Sequence, residues 1–283
     1  LSHERSGSHF LADFINSLDS VSVFDEVGNP DAFWPGQSKL SVFRFKRDFY
    51  ALRKNWAELE FSNHEAFVIA YFKYLEKRAG RGDASVVDIK YGHLPLFEAR
   101  YALPLARPFL LKWAERHKVP ILHLHRNNVI KAAVSAMLAR QAGVWHMENR
   151  DKTGRLQSLR RAVRKIRRPG KLAQKERIKY PVRLDIKKVI EHARLLEEQN
   201  ERFKNDWTIG NKKICVSYER LCQEMGRGGL LDSEIAEFVG GEVKVPYQSR
   251  YNKLNSSLRD KVSNYDELVE ACTSSGMGEH ILS

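Results

Sequence analysis

The feature that most constrains the fold of this chain is the alternation of short apolar runs with longer amphipathic stretches. Short runs rich in β-branched residues predict strands at residues 21–24, 85–90, 119–125 and 213–217. Helical periodicity predicts helices at residues 9–18, 64–78, 103–118 and 129–142. Strands that alternate with helices of this length are typical of βαβ units, so the chain is predicted to be an α/β protein with a parallel sheet flanked by helices.

The organisation of the 283 residues predicts a single domain over residues 1–283, because neither an internal repeat nor a linker interrupts the pattern. The three cysteines lack CxxC spacing and predict neither a disulfide framework nor a zinc site, which favours a reducing, cytoplasmic location. The sequence contains no apolar run long enough for a membrane span, and its first residues do not predict a signal peptide. Leu1 resembles the interior of a strand, so we expect further residues before it.

The charge of the chain points to an anionic partner. Lys and Arg number 48 against 35 Asp and Glu, a net charge of +13. Much of this surplus lies in residues 152–179, which contain a single acidic residue. Apolar residues recur there at helical spacing, which predicts a basic helical insertion at about 150–180. A solvated helix is one interpretation, and contact with an anionic acceptor or a membrane surface is the other.

The opening stretch L-S-H-E-R-S-G-S-H-F predicts an anion cradle. A strand-like start is followed by small residues and then by a helix, whose first N–H groups and dipole favour an anion. Gly7 allows close approach, Ser6 and Ser8 add hydroxyls, and Arg5 adds a charge with bidentate geometry. An ordinary N-cap at Ser8 explains part of this pattern. The chain contains no Walker motif, which disfavours a nucleotide triphosphatase.

A second set of residues follows the strand at 119–125: Arg126 at its end and Ser135 in the next helix. Together with R-S-G-S, these residues resemble the PAPS-dependent sulfotransferases, in particular the bacterial carbohydrate-type branch. PAPS is 3′-phosphoadenosine 5′-phosphosulfate. The resemblance implies an α/β fold with a P-loop-like central parallel sheet, a loop that binds the 5′-phosphosulfate, and an Arg and a Ser that bind the 3′-phosphate.

Two further segments extend the resemblance towards the end of the chain. V-S-Y-E-R-L resembles the family segment whose Tyr lies near the adenine, here Tyr218. The stretch from residue 250 to 268 resembles the family's closing segment, where Lys253 is expected to reach the 3′-phosphate. The implied donor-binding residues are Arg5, Ser6, Gly7, Ser8, His9, Phe10, Arg126, Ser135, Tyr218 and Lys253.

The chemistry that the resemblance implies is in-line sulfuryl transfer, which depends on cations and on a base for the acceptor hydroxyl. Arg5 and Lys90 are the expected cations. Glu26 is the favoured base, and His93, in K-Y-G-H-L-P, is the alternative. No metal is expected, because the donor's leaving group is already a phosphate.

The predicted function is therefore transfer of a sulfuryl group from PAPS to a hydroxyl, on a carbohydrate or glycolipid. The predicted location is cytoplasmic, with membrane-peripheral contact through residues 152–179 as an option. Two rivals remain at this point. One is a P-loop-type nucleotide or sugar kinase, which requires a loop Lys and a Mg²⁺-holding Asp. The other is a nucleic-acid-binding protein that would bind its partner through residues 152–179, although we expect no nucleic acid as a partner.

Overall fold

The computed structural model of the chain describes residues 1–4, 6–24, 27–28, 40–51, 64–78, 84–98, 107–142, 181–207, 210, 212–227, 229–243, 247 and 257–282. The chain divides into two compact units. Unit 1 comprises Leu1–Asn127 and Glu197–Tyr247, and unit 2 comprises Asn128–Leu196 and Gln248–Ser283. The single domain expected over residues 1–283 stays a prediction.

Four strands and eleven α-helices have bounds within the described residues. The strands are β1 (Val21–Phe24), β2 (Ala84–Val87), β3 (Ile121–His125) and β4 (Lys213–Ser217). The helices of the first half are α1 (Ser8–Ile15), α2 (Val42–Ala51), α3 (His64–Glu76), α4 (Phe109–Arg116) and α5 (Val129–Ala142). Those of the second half are α6 (Ile186–Arg202), α7 (Tyr218–Glu224), α8 (Leu230–Val239), α9 (Leu258–Lys261), α10 (Tyr265–Ser274) and α11 (Glu279–Leu282). A 3₁₀ helix spans Tyr91–Phe97, and a π-helical turn spans Phe203–Trp207.

The strands pair in parallel, which confirms a mixed α/β architecture. β1 pairs with β2 from Val21 opposite Ala84 onward, and β3 pairs with β4 from Ile121 opposite Lys213 onward. Ser2 forms parallel bridges on both of its sides, one to Lys90 and one to Leu124. Parallel pairing requires crossover connections, which the intervening helices supply.

Backbone hydrogen bonds hold the first residues of the chain between the two strand pairs. The Ser2 N–H donates to the Ile89 carbonyl at 3.1 Å, and the Ser2 carbonyl accepts from the Tyr91 N–H at 3.0 Å. On the other side, the Leu124 N–H donates to the Leu1 carbonyl at 2.9 Å. The extended start expected at Leu1 is therefore present in unit 1.

The predicted elements agree with the observed ones most closely where no proline intervenes. The strands at residues 21–24 and 213–217 and the helix at 129–142 have the predicted bounds. β3 begins at Ile121 rather than at residue 119, because Pro120 has no N–H to donate to a strand ladder. Of the helix predicted at 103–118, the described part begins after Pro108. The predicted basic helix at 152–179 lies outside the described residues.

Two apolar clusters form the core of unit 1. In one cluster Phe67, Tyr71 and Phe97 are completely buried, and the Tyr71 hydroxyl donates to the Leu40 carbonyl at 2.7 Å. In the other, Phe14 of α1 packs with Val216 of β4 and their neighbours. Each buried side chain of this size contributes roughly 1.5–3 kcal/mol to the stability of the unit. This packing fixes the start of α1 against the sheet.

Unit 2 has its own apolar core, formed by α5, the first turns of α6, and α10 and α11. Val134, Val189, Leu268 and Ile281 are buried in it. The Asn128 side chain caps α5, because its Oδ1 accepts from the Lys131 N–H at 2.8 Å. Among the described helices, none combines the length and the apolar character required to cross a bilayer.

Candidate functional site

The α1 head (residues 6–8) has the geometry of an anion site. Gly7 is the N-cap of α1 and has a φ of 86°, in the left-handed region. The helix therefore begins at Ser8 with the N–H groups of its first turn directed away from the helix body, without carbonyl partners inside it. These groups and the helix dipole favour a bound anion.

Gly7 is also a point of close approach between distant parts of the sequence. A Cβ atom at this position would lie 2.5 Å from Cδ2 and 2.8 Å from Cε2 of Tyr218. The Tyr218 ring thus lies directly on the Gly7 backbone, and a larger residue would displace it. Both the φ angle and this contact require glycine.

Ser6 has a structural role within the α1 head. Its side chain is buried, and its Oγ donates to the His3 carbonyl at 2.7 Å. This bond ties the loop to the strand that precedes it. Arg5, the predicted loop cation, lies outside the described residues.

The Lys90 side chain contacts the first residue of α1, and its role as a cation of the transfer site stays a prediction. Its side chain is only 4% exposed, and its Nζ donates to Ser2 Oγ at 3.0 Å, to Ser8 Oγ and to Asp88 Oδ2 at 2.7 Å. Ser2 Oγ also donates to Asp88 Oδ1 at 3.3 Å. The ammonium is therefore buried, paired with a carboxylate and in contact with the first residue of the helix.

The second base candidate, His93, is half-buried beside the segment that follows β1. Its Nδ1 accepts a hydrogen bond from the Lys90 N–H at 3.1 Å. A Cβ atom on Gly28 would lie 2.3 Å from the His93 ring, so the ring packs on the Gly28 backbone. Glu26, the favoured base, precedes Gly28 by two positions and lies outside the described residues.

The β3 turn (residues 126–127) carries the second cationic side chain. The Arg126 guanidinium lies over the Tyr218 ring, with Cζ 4.8 Å from the ring centroid. Its Nε is 3.9 Å from Glu219 Oε1, and Glu219 Oε2 accepts from the Asn127 N–H at 3.0 Å. Burial lowers the pKa of Arg126, while Tyr218 and Glu219 oppose that shift. The guanidinium stays charged at neutral pH.

Tyr218 connects the α1 head with the β3 turn. It is the first residue of α7, whose N-cap Ser217 accepts from the Arg220 N–H at 3.1 Å. Its ring contacts Gly7 and the Arg126 guanidinium. Burial, assisted by a hydrogen bond with the Cys222 side chain, raises the pKa of Tyr218 to about 12. The hydroxyl is therefore neutral at physiological pH.

The remaining predicted donor residues have different surroundings. His9 and Phe10 lie in the first turn of α1, and the Phe10 ring centroid is 6.0 Å from that of Tyr247. Ser135 is half-buried on α5, in unit 2, whereas Arg126 belongs to unit 1. Lys253 lies outside the described residues. The joint role of Arg126 and Ser135 stays a prediction.

Sequence reasoning gave no role in the transfer site to three polar residues next to the predicted ones: Ser2, Asp88 and Glu219. Asp88 was detectable in principle, because residues two apart in an extended segment share a face, which places Asp88 beside Lys90. Glu219 follows Tyr218 directly in the sequence. Ser2 carries no local signal, since its contacts with Lys90 depend on the pairing of distant segments.

Chemically, unit 1 combines a helix N-terminus, a buried ammonium and a guanidinium, each following the carboxyl end of a parallel segment. Such ends are the usual location of ligands in open α/β sheets. The three donor types suit the oxygens of phosphate or sulfate groups. Among the described residues, no group of three or more His, Cys, Asp or Glu side chains could hold a metal ion.

Comparison with known proteins assigns the chain to a family. The family model described as Stf0 sulphotransferase matches residues 1–227, which include the α1 head, Lys90, the β3 turn and Tyr218. No curated protein and no solved structure gives a significant match. The match covers well over half of the 283 residues. The chain therefore belongs to the Stf0 sulphotransferase family of sulfuryl-transferring enzymes.

Proposed function

We propose that the chain transfers the sulfuryl group of PAPS to a hydroxyl of a carbohydrate or glycolipid. The observation that carries this proposal is the Lys90 ammonium, buried at the first turn of α1 and in contact with Ser8. A second cation, Arg126, is linked to the same helix start through the Tyr218 ring. A donor with anionic groups at both its 5′ and 3′ positions matches two separate cationic anchors.

The backbone hydrogen bonds support a P-loop-like central sheet. With residues 1–3 between β2 and β3, the parallel segments have the spatial order β1, β2, residues 1–3, β3, β4. The chain leaves residues 1–3 towards β1 on one side and leaves β3 towards β4 on the other. Adjacent segments with diverging connections form a topological switch point, where ligands of α/β proteins bind. The α1 head and the β3 turn flank this point.

The proposed reaction places the acceptor oxygen in line with the bond between sulfur and the leaving phosphate. As that bond breaks, charge develops on the sulfuryl oxygens and on the phosphate oxygen. Lys90 and the N–H groups of α1 are placed to stabilise this charge. The adenosine 3′,5′-bisphosphate product leaves as a phosphate, so the chemistry requires no metal.

The hydrogen bond at His93 favours Glu26 as the base. A backbone N–H can only donate, so the bond from Lys90 makes Nδ1 of His93 the acceptor. The neutral ring then carries its proton on Nε2 and has no second nitrogen to receive the acceptor's proton. Glu26 has no such restriction on its chemistry, since a carboxylate accepts on both oxygens.

A comparison of Glu26→Gln with His93→Gln tests this assignment. We expect Glu26→Gln to lower kcat by about 10²–10⁴-fold, the usual contribution of a general base. We expect His93→Gln, which retains a hydrogen-bond acceptor, to keep most of the activity. Sulfuryl transfer measured across pH 5–9 for both variants decides between them. The opposite ranking would make His93 the base.

The proposed acceptor contact lies in the most basic part of the sequence. Residues 152–179, with their single acidic residue, are the proposed contact for an anionic acceptor or lipid headgroup, and the proposed location is cytoplasmic or membrane-peripheral. Neutralising Arg160, Arg161, Arg164 and Lys165 is expected to raise KM for the acceptor and to leave donor binding unchanged. A variant set that weakens donor binding instead would contradict this role.

Calorimetric titration with adenosine 3′,5′-bisphosphate, and with ATP as the control, tests the donor. We expect selective binding of the bisphosphate, because ATP lacks a 3′-phosphate for the second cationic anchor. Equal binding of the two nucleotides, or binding of neither, would overturn the PAPS proposal. Steeply salt-dependent binding of nucleic acid instead of the bisphosphate would favour a nucleic-acid-binding function for residues 152–179.

A further inference from the structure

Among the described residues, the Lys90 ammonium donates to three side chains, and this arrangement bears on how it could contact a donor. Its three protons match the three acceptors Ser2 Oγ, Ser8 Oγ and Asp88 Oδ2. Contact with an incoming anion therefore requires that one of these bonds be exchanged. The hydrogen bond that is exchanged is the one whose acceptor is held least firmly by its other contacts.

Asp88 is the most firmly held of the three. Its N–H donates to the Phe24 carbonyl at 2.9 Å, which anchors its backbone to β1. One carboxylate oxygen accepts from Ser2 and the other from Lys90. The Asp88 side chain is only 10% exposed, so its bond to Lys90 is charge-assisted and well shielded from water. Removing one partner of such a pair leaves an uncompensated buried charge.

Ser8 is the acceptor that can be released. It is the first residue of α1, in the position where an anion would meet the helix N-terminus, and its hydroxyl can rotate to donate to that anion. The Ser2 hydroxyl is held by its second bond, to Asp88. An anion oxygen at the α1 head would thus replace Ser8 on Lys90 while Asp88 and Ser2 keep their places.

We propose that Asp88 is a positioning residue of the transfer site, which acts by holding the charged Lys90 ammonium at the α1 head while a donor oxygen replaces Ser8 as its third partner. The inference deepens the proposed function and rests on it. Asp88 touches neither donor nor acceptor in this arrangement. Its whole effect on transfer passes through Lys90, and that property can be measured.

A double-mutant cycle of Asp88→Asn and Lys90→Met isolates this effect. Asn has the shape of Asp without its charge, so the buried ammonium loses its counter-charge. We expect Lys90→Met to lower kcat by about 10²-fold, as for the loss of one donor to transition-state charge. We expect Asp88→Asn to lower kcat at least about tenfold with a smaller change in KM for the donor, because the lost interaction strengthens in the transition state.

The decisive measurement is the effect of Asp88→Asn in the Lys90→Met background. If Asp88 acts through Lys90, the second change lowers kcat no further. A further loss as large as in the wild type would overturn the inference. Asp185→Asn, which removes an exposed carboxylate paired with Lys188, is the control and is expected to leave kcat unchanged.

Two additional measurements keep the outcome decisive. If thermal unfolding shows that Asp88→Asn is not folded, Ser2→Ala replaces it, because this variant removes only the hydroxyl that links Asp88 with Lys90. The smaller loss of kcat expected from Ser2→Ala must likewise disappear in the Lys90→Met background.

Wild-type binding of adenosine 3′,5′-bisphosphate tests the proposed function separately. If the wild type binds and transfers but the cycle is additive, only the role of Asp88 fails. If the wild type does not bind, both proposals fail.

Discussion

The α1 head and the β3 turn hold their neighbouring cations in different ways. At the α1 head, the Lys90 ammonium is almost fully buried and lies 2.7 Å from its carboxylate partner. At the β3 turn, the Arg126 guanidinium is stacked on a ring, and its Nε lies 3.9 Å from the nearest carboxylate oxygen. A compact ammonium that is held by a close carboxylate suits a position where negative charge develops during the reaction. A planar guanidinium held by its face keeps its edge directed for bidentate recognition.

The two regions share one side chain, and this makes them comparable by mutation. Tyr218 touches the Gly7 backbone and the Arg126 guanidinium, so a change at the α1 head can be transmitted to the β3 turn through the ring. Variants that remove a charge, a glycine or a hydroxyl should show how much each region contributes to donor binding and to stability.

The largest effect is expected from Arg126→Ala. The variant removes the cation of the β3 turn and keeps the Glu219 carboxylate, which repels an anion, next to the proposed phosphate position. We expect the affinity for adenosine 3′,5′-bisphosphate to fall at least about 100-fold, corresponding to ~3 kcal/mol. Calorimetric titration measures it. Arg116→Ala, which removes an exposed partner of Glu65, is the matched control, and an equal loss there would refute a specific role for Arg126.

The next effect is expected from Gly7→Ala, compared with Gly240→Ala. Both glycines have a positive φ, 86° and 76°, but only Gly7 has a ring against it, while a Cβ at Gly240 meets no atom within 4 Å. Gly240→Ala should therefore cost only dihedral strain, about 1–2 kcal/mol of unfolding free energy. Gly7→Ala should cost about 1–3 kcal/mol more through overpacking.

Urea denaturation of the two glycine variants measures this difference. Titration with adenosine 3′,5′-bisphosphate should also show weaker binding for Gly7→Ala. The Arg126 guanidinium lies over the Tyr218 ring, so displacement of the ring also displaces Arg126. Equal unfolding free energies for the two variants would mean that the Tyr218 ring moves aside at no cost.

A smaller effect concerns pH and the strand below the β3 turn. His123 of β3 is buried, with its Nε2 2.8 Å from the Tyr91 hydroxyl, and burial lowers the pKa of His123 to about 2. The unfolded chain binds a proton there below about pH 6.5, but the folded chain does not until about pH 2. The folded state therefore loses stability as the pH falls through that window, by about 1.4 kcal/mol per pH unit.

The variant His123→Asn removes this contribution. Between pH 7 and pH 5, its unfolding free energy should fall by about 2 kcal/mol less than that of the wild type. Urea denaturation at the two pH values provides the comparison. Identical slopes for both proteins would show that His123 takes up its proton over the same pH range in the folded and the unfolded chain.

The smallest effect is expected from Tyr218→Phe. The ring, which separates Gly7 from Arg126, stays in place, and only the hydroxyl that bonds the Cys222 side chain is lost. Affinity for adenosine 3′,5′-bisphosphate should change about threefold or less, ~0.6 kcal/mol. Tyr218→Leu, which removes the ring face under the guanidinium, should weaken binding more. If Tyr218→Phe is as damaging as Tyr218→Leu, the hydroxyl rather than the ring is the functional part.

The candidate site was predictable where a local pattern marks it. R-S-G-S before a helix, and Arg126 after a strand, are each recognisable within ten residues of sequence, and Lys90 follows from its place at the end of a strand. The partners that hold these groups were not predictable in the same way. Tyr218 meets Gly7 and Ser2 meets Lys90 only after distant segments pair, and no propensity or spacing encodes such a contact.

The sequence by itself determined the type and bounds of individual elements in both units. β1, β4 and α5 have the predicted bounds because apolar periodicity and turn residues act within a few positions of each other. Only the tertiary structure decided that residues 1–3 lie between β2 and β3, and that Lys90 meets both Asp88 and Ser8. The physical reason is that strand pairing and charge burial depend on contacts between residues far apart in the chain, whose free energy exists only in the folded state.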